Sequence, residues 1–105
     1  MTICLIYVTF ETLDEARRIG EDLVTRKLVA CANIMPGMTS IYEWHGEINV
    51  TDEVLMLAKT TQANAQAVVD EIKRLHRYDE PAIVVLPITG GSAGYLDWVQ
   101  NQVYA

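Results

Sequence analysis

The hydrophobic pattern of the first 27 residues predicts a strand followed by a helix. Residues 2–10 form a short apolar run with β-branched and aromatic members and no clean alternation, which is typical of a strand covered on both faces or central in its sheet. From Leu13 to Val24, apolar residues recur at helical spacing with charged residues between them. Thr12 and Glu15 match a capping box, in which each side chain bonds a free backbone N–H of the first turn. We therefore expect an amphipathic helix over about residues 12–27.

The central third of the chain predicts a long β-hairpin. Residues 28–35 form a second apolar strand, which we expect to bend at Pro36 and Gly37, because proline cannot donate to a ladder and glycine suits a bulge. The strand then resumes, turns at residues 45–47 and returns over residues 48–60. An arm of about 15 residues at roughly 3.3 Å each reaches about 50 Å, whereas a domain of this size is roughly 33 Å across. Part of the hairpin should therefore project beyond the sheet.

The projecting part of the hairpin is too apolar to stay in water. It also presents open strand edges, which invite pairing with another chain. Its apolar residues are Ile41, Tyr42, Trp44, Ile48 and Val50. We expect another subunit to cover them, although the pattern alone does not fix the number of subunits.

The second half of the chain repeats the alternation of helix and strand. Apolar positions predict a helix over about residues 62–75, and the run at residues 82–88 predicts a further strand. "TGGSAG" is a turn, in which Ser92 is placed to cap a last helix. The order β-α-β-β-α-β plus a terminal helix predicts an α+β fold of the ferredoxin-like kind, an antiparallel sheet with helices on one face, a long central hairpin and an extra C-terminal helix.

Length and charge narrow the classes of function. At 105 residues we expect one domain, residues 1–105, and the net charge of −6 argues against nucleic acid and anionic membranes as partners. Cys4 and Cys31 are isolated, with no CxxC pair, and are expected to be small buried hydrophobes in strands. The apolar run that starts at Ile3 is too short for a signal peptide or a membrane span, so a cytoplasmic protein is expected.

The stretch "RLHRYDEPAIV", residues 74–84, concentrates possible metal ligands and acid–base groups. His76, Asp79 and Glu80 lie within five positions of one another. An enzyme would need a nucleophile beside them, and no Ser or Cys lies in an elbow or beside a second histidine. "TGGSAG" lacks the lysine and the spacing of a P-loop. We therefore predict a protein without catalytic residues.

Several motifs resemble a known family. "KLVACANIMPGMTSIYEWHGEI", "EVLMLAKT", H-x-Y…P-x-I and "YLDW" follow one another over nearly the whole chain, and together they resemble the CutA family of divalent-cation tolerance proteins. The resemblance implies a ferredoxin-like homotrimer whose long hairpins pair across subunits. It also implies a role in metal tolerance with copper, or another divalent cation, as the bound ion and no required cofactor. The alternative is a PII-like sensor trimer that binds a small ligand between subunits.

The chain departs from the family pattern where a metal would bind. The pattern resembles H-P-Y-E-x-P-E, but this chain has Arg77 in place of the first proline, Asp79 for the first glutamate and Ala82 for the last one. Some members also carry a cysteine near the end of the first strand, where Val8 stands here. Since Cu(II) favours imidazole with oxygen donors, the resemblance leaves His76 with the carboxylate of Asp79 or Glu80 as predicted ligands. The alternative is that His76 is only a helix C-terminal histidine.

Three further residues are candidates for an intersubunit ligand cleft. Lys59 lies late in a strand that is otherwise apolar. We expect its ammonium to pair with an acidic group of a neighbouring subunit or to attract an anionic ligand. The alternative is that the side chain only extends its ammonium into water. Trp44 and Tyr78 are the aromatic candidates for the same cleft. The alternative for the aromatic residues is a place in the core or at an interface.

Overall fold

The computed structural model describes residues 2–103, and its elements follow the predicted order. They are β1 (Ile3–Phe10), α1 (Leu13–Thr25), β2 (Cys31–Trp44), β3 (Glu47–Thr61), α2 (Gln62–Leu75), β4 (Ile83–Ile88) and α3 (Ala93–Gln102). The strands form one antiparallel sheet in the order β2-β3-β1-β4. This arrangement confirms the predicted α+β, ferredoxin-like fold. Within residues 2–103, no helix has the length and apolar character needed to cross a membrane.

The hydrophobic core lies between one face of the sheet and the helices α1 and α2. Alternate residues of β1 and β3 point into it, because successive side chains of a strand lie on opposite faces. The core residues of the two strands are Cys4, Ile6, Val8, Phe10, Val54, Met56 and Ala58. The helices contribute Ala16, Ile19, Leu23, Ala65, Val68 and Ile72. A second, smaller cluster, Ile3, Ala30 and Val99, attaches α3 to the start of β1.

The helix caps are only partly as predicted. The Thr12 hydroxyl accepts from the backbone N–H of Glu15 at 3.2 Å, as a capping box requires. The second predicted bond of the capping box, from the backbone N–H of Thr12 to the Glu15 carboxylate, is not formed. The carboxylate accepts instead from the backbone N–H of Arg77 at 2.8 Å. Ser92 occupies the N-cap position of α3, but its side chain makes no capping hydrogen bond.

The hairpin formed by β2 and β3 projects as predicted. The pairing register shifts between Met35 and Met38, so the strand bends without ending. At the tip, His45 (φ 51°) and Gly46 (φ 78°) both have positive φ, as a two-residue type I′ turn requires. Since the register places Phe10 of β1 opposite Val54, the part of β3 before Val54 pairs with β2 alone. The molecule measures 45 × 25 × 22 Å as a result.

The face of the sheet opposite α1 and α2 remains largely uncovered. We call it the open face, and it contains the side chains that alternate with the core positions. Their identities follow from the strand register: Leu5, Tyr7, Asn33, Met35, Leu55, Leu57, Val84 and Leu86. Met35 and Val84 have exposed fractions of 48% and 52%. An apolar sheet face of this size is unusual in a protein that works alone.

An ion-pair network joins α1 to α2. Glu71 accepts hydrogen bonds from Arg74, one turn later in α2, and from Arg26 at the end of α1 (2.8 Å to Nη1). Arg26 also bonds Asp22 at 2.9 Å. The hydrogen bonds from Arg74 and then Arg26 lower the pKa of Glu71 to about 2. The network therefore favours the ionised carboxylate in the folded protein.

We expect the replacement of Glu71 with glutamine to lower the melting temperature by a few degrees at neutral pH. Because the folded-state pKa of Glu71 lies near 2, below its ordinary value of 4.5, its stabilising contribution is complete above pH 4.5 and is lost as the pH falls towards 2. The difference between wild type and Glu71→Gln should narrow over this range. Thermal melts at a series of pH values measure it.

The matched control for the Glu71 experiment is Glu80→Gln. Glu80 makes an exposed ion pair with Lys73 at 3.4 Å, a kind of contact that contributes little. This control should melt with the wild type throughout. A difference for Glu71→Gln that stays constant from pH 6 to pH 2 would contradict the assignment.

Candidate functional site

His76 ends α2 and turns its ring into the protein interior. Its backbone N–H bonds the carbonyl of Ile72 at 2.8 Å, and its side chain is fully buried. Nε2 lies 2.8 Å from the Thr9 carbonyl oxygen, and Nδ1 lies 3.1 Å from the backbone nitrogen of Tyr78. The ring stacks on Phe10, with 4.7 Å between centroids. The position at the helix end is as expected, but the ring faces the core and not the solvent.

The hydrogen bonds of His76 define its tautomer. The Thr9 oxygen only accepts, so Nε2 carries the proton, and the Tyr78 N–H only donates, so Nδ1 accepts. A metal ligand needs a free nitrogen lone pair. In this arrangement the ring of His76 offers none, and the ring acts instead as a brace between the end of β1 and the residues after α2.

Glu15 is the second buried group that holds this segment. Its Oε2 accepts from the Arg77 N–H at 2.8 Å and lies 4.0 Å from Nδ1 of His76. Among the buried side-chain atoms of residues 2–103, its Oε1 is without a hydrogen-bond partner. Glu15 and His76 thus fix consecutive backbone amides, those of Arg77 and Tyr78. Sequence reasoning missed this role because Glu15 matched a helix cap.

The braced segment forms one wall of a cleft of about 950 Å³. The opposite wall is the projecting part of the hairpin, and the end of β1 lies between the two walls. The lining residues are Thr9, Glu11, Tyr42, Trp44, Thr51, Asp52, Glu53, Arg77, Tyr78, Asp79, Glu80 and Ala82. A concave space of this size is in the range of small-molecule sites.

The cleft carries a negative field. Arg77 is the one basic residue of its lining and lies 3.8 Å from Glu11. Burial, followed by the charges of Glu11, Glu53 and Glu15, raises the pKa of the Tyr78 hydroxyl above its ordinary value of 10. The cleft therefore favours cations and disfavours anions.

The structure brings together only some of the predicted site residues. Trp44, Tyr78 and Asp79 line the cleft. His76 lies behind its wall, and Lys59 lies outside it, on β3 beside β2. Within the described residues 2–103, no group of three His, Cys, Asp or Glu side chains is arranged to hold a metal ion. His76 and Asp79 are therefore not part of such a group within these residues, and their role as metal ligands stays a prediction.

Lys59 belongs to a separate polar cluster near the start of β2. Its Nζ bonds Oδ1 of Asn33 at 2.7 Å, lies 3.8 Å from Sγ of Cys31 and lies 5.6 Å from the centre of the Tyr95 ring. The hydrogen bond with Cys31, followed by burial, raises the pKa of Tyr95. Cys4 is fully buried, as expected, whereas Cys31 is half-buried and makes polar contacts. The ammonium of Lys59 thus contacts an amide oxygen, a sulfur and an aromatic ring of its own chain, and no ion pair with a carboxylate is formed within residues 2–103.

Comparison with known proteins gives consistent matches over nearly the whole chain. The model of the CutA1 divalent ion tolerance protein family matches residues 4–102. The divalent-cation tolerance protein CutA of Thermus thermophilus is 43% identical over 97 residues, which are 92% of this chain and 94% of that protein. A solved structure of the divalent cation tolerance protein from Thermus thermophilus has a TM-score of 0.93 at 40% identity, and the match covers 97% of this chain and 99% of that one.

A plant relative is longer than this chain. The chloroplastic protein CutA of Arabidopsis thaliana is 38% identical over 97 residues, which are 92% of this chain but 53% of the relative. The chain therefore spans about half the length of that curated relative.

Proposed function

The chain belongs to the CutA1 divalent ion tolerance family, and on this basis we propose that it works in divalent-cation tolerance as a homotrimer that binds copper or another divalent cation weakly. The family description names tolerance and not a reaction, in keeping with the prediction of a non-enzymatic protein. The cytoplasmic location stays a prediction, since the name of one relative places that relative in the chloroplast.

The observation that carries the assembly proposal is the open face of the sheet. Burying it against other copies removes apolar area from water at roughly 25 cal/mol for each Å². Residues such as Val84 and Leu86, which are 52% and 43% exposed in the single chain, lie on its edge strand β4. β2 and β4 are the two edge strands of the sheet, and each leaves backbone N–H and C=O groups without a neighbouring strand. In a closed ring, the β2 edge of one copy can pair with the β4 edge of the next, so that no edge stays open.

The projecting hairpin gives a second surface for assembly. The register pairs Ile41 with Val50 and Glu43 with Ile48, so these side chains share one face of the hairpin. Ile41, Ile48 and Val50 are each at least 65% exposed in the single chain. A neighbouring subunit that covers this face stabilises both the hairpin and the trimer.

Cation binding is proposed at the acidic cleft. Asp79 is exposed at its wall, and its carboxylate has no ion pair within residues 2–103. Oxygen donors suit many divalent cations, but one carboxylate per chain gives a weak site that a neighbouring copy would have to complete. His76 supports such a site by fixing the Tyr78 amide next to Asp79, and it would coordinate metal only if its ring left its two hydrogen bonds.

Titration with Cu(II) and with Zn(II) in a calorimeter tests the metal proposal. We expect saturable binding to the wild type and at least roughly tenfold weaker binding to Asp79→Asn. Asp97→Asn, which removes an exposed carboxylate from α3, is the matched control and should bind as the wild type does. The absence of saturable heat at micromolar metal would refute the proposal.

The alternative prediction, a PII-like sensor, has one observation in its favour. Trp44 and Tyr78 line a common cleft large enough for a small molecule. Lys59, the basic candidate, lies outside that cleft, so an anionic ligand has no partner there beyond Arg77. The sensor function stays a prediction.

A further inference from the structure

We propose that residues 38–53, here called the outer hairpin, form their paired strands only in the assembled protein, so that folding of this segment is coupled to association of the subunits. The coupling rests on the homotrimer proposed above and adds a disorder-to-order step to its formation. Its support comes from the strand register, the burial pattern and an interruption of the sheet.

The outer hairpin has no third strand beside it in its own chain. Pairing between β1 and β3 stops where Phe10 lies opposite Val54, so residues 38–44 and 47–53 pair only with each other. Each of these two strands therefore has one open edge along this whole length. A two-stranded hairpin on its own is at best marginally stable in water, whereas three or more strands with an apolar face are stable. The register thus predicts a fall in local stability beyond Val54.

The hydrophobic core ends at the same point. Val54 is the first buried residue of β3 after the turn, and none of the residues 38–53, all of which the structure describes, is buried. Four large apolar side chains of this segment are mostly exposed in the single chain: Ile41 and Ile48 by 68%, Val50 by 65% and Trp44 by 64%. Folding of the outer hairpin in a single chain therefore buries little apolar area to offset the loss of conformational entropy.

An interruption of the β2–β3 ladder marks the base of the outer hairpin. The pairing register shifts between Met35 and Met38, and Gly37 between them has φ 84°. A Cβ added to Gly37 would meet no atom within 4 Å, so the bend is not packed against the rest of the chain. Segments with few buried contacts open as separate units, at a lower free energy than the core. The outer hairpin fits this description.

Association supplies the contacts that the single chain lacks. A neighbouring subunit on the face with Ile41, Ile48 and Val50 removes their apolar area from water, and the same contact occurs at each interface of a symmetric trimer. If the outer hairpin is ordered by these contacts, its intrinsic stability affects the association equilibrium, because the two processes are linked. If the outer hairpin is already folded in the free subunit, its stability is the same before and after association and does not affect this equilibrium.

Hydrogen exchange of the wild type and of Leu86→Asp tests the coupling. Leu86 lies on β4, at the opposite edge of the sheet from β2, so its substitution acts on the outer hairpin through assembly. We expect the amides of residues 38–53 to be protected in the wild type and to exchange at least roughly hundredfold faster in the monomeric variant. The amides of β1 should stay protected in both. A monomeric Leu86→Asp whose outer hairpin is protected as in the wild type would overturn the proposal.

A substitution in the turn gives a test that does not depend on the folding of Leu86→Asp. Gly46 has φ 78°, and a Cβ added there meets no atom within 4 Å, so Gly46→Ala acts through the backbone strain of the type I′ turn. With coupled folding, three strained turns in each trimer should raise the protein concentration of half-dissociation by roughly tenfold. Light scattering over a dilution series in subdenaturing urea measures this concentration.

The matched control for the turn variant is Gly90→Ala. Gly90 lies between β4 and α3 and has no positive φ, and a Cβ added there also meets no atom within 4 Å. This control should dissociate as the wild type does. A trimeric wild type whose half-dissociation is unchanged by Gly46→Ala would refute the coupling and leave the homotrimer intact. A wild-type mass of 11.8 kDa at every concentration without urea would instead refute the homotrimer itself.

Discussion

Replacing Leu86 with aspartate is expected to convert the proposed trimer into monomers. Leu86 lies on the open face of β4, opposite Leu5 of β1, and is 43% exposed in the single chain. Burial of a leucine side chain between subunits contributes about 1.5–3 kcal/mol, and a carboxylate at the same place adds a desolvation cost of several kcal/mol. Because the same contact occurs at every interface of a symmetric ring, the substitution lowers the stability of all interfaces by the same amount.

The molar mass of the Leu86→Asp variant in dilute buffer measures this effect. Ala63→Asp is a suitable control, because it adds the same charge at an exposed position in the first turn of α2, where a negative charge is favourable. The control should keep the mass of the wild type. Circular dichroism distinguishes a folded monomer from an unfolded chain. A Leu86→Asp protein with the wild-type mass would exclude the open face as the interface.

Replacing His76 with alanine is expected to cost roughly 3–5 kcal/mol of unfolding free energy. The substitution removes a fully buried ring that stacks on Phe10, and it leaves the Thr9 carbonyl and the Tyr78 N–H without their partners. His76→Phe keeps an aromatic ring, slightly larger than imidazole, against Phe10 and loses both hydrogen bonds, so it should cost less, about 1–3 kcal/mol. Denaturant titration at a fixed protein concentration compares the variants.

The same pair of variants separates a brace from a metal ligand. If His76 braces the segment, His76→Phe loses stability but still binds Cu(II), because Asp79 keeps its carboxylate. If His76 is a ligand, His76→Phe loses metal binding while its stability changes little. The second pattern would contradict the hydrogen-bond geometry described above.

The sequence predicted the fold well where local patterns decide it. Short apolar runs predicted the strands and helical spacing predicted the helices, and the bend at Pro36 and Gly37 was recognised from residue types alone. The projection of the hairpin followed from its length compared with the size of the domain. These features depend on neighbours along the chain, which a sequence displays directly.

The candidate site was predicted only in part, because its side chains form hydrogen bonds with residues that are distant along the chain. Glu15 fitted a capping box but bonds Arg77, 62 positions later. Lys59 was predicted to face an intersubunit cleft because it is a charge in an otherwise apolar strand; within its own chain it contacts Asn33 and Cys31 on the neighbouring strand, which the pattern did not show, and the intersubunit role stays a prediction. The concentration of polar residues at 76–80 predicted a functional segment, and residues 77–80 do line the cleft. The pattern could not show that His76 turns into the protein core while the others face the cleft.

The molar mass of the wild-type protein tests the central claim most directly. Light scattering over a dilution series should give about three times 11.8 kDa, independent of concentration in the micromolar range. That result supports a homotrimer in which the open face and the projecting hairpin are covered. A mass of 11.8 kDa throughout the series would contradict it.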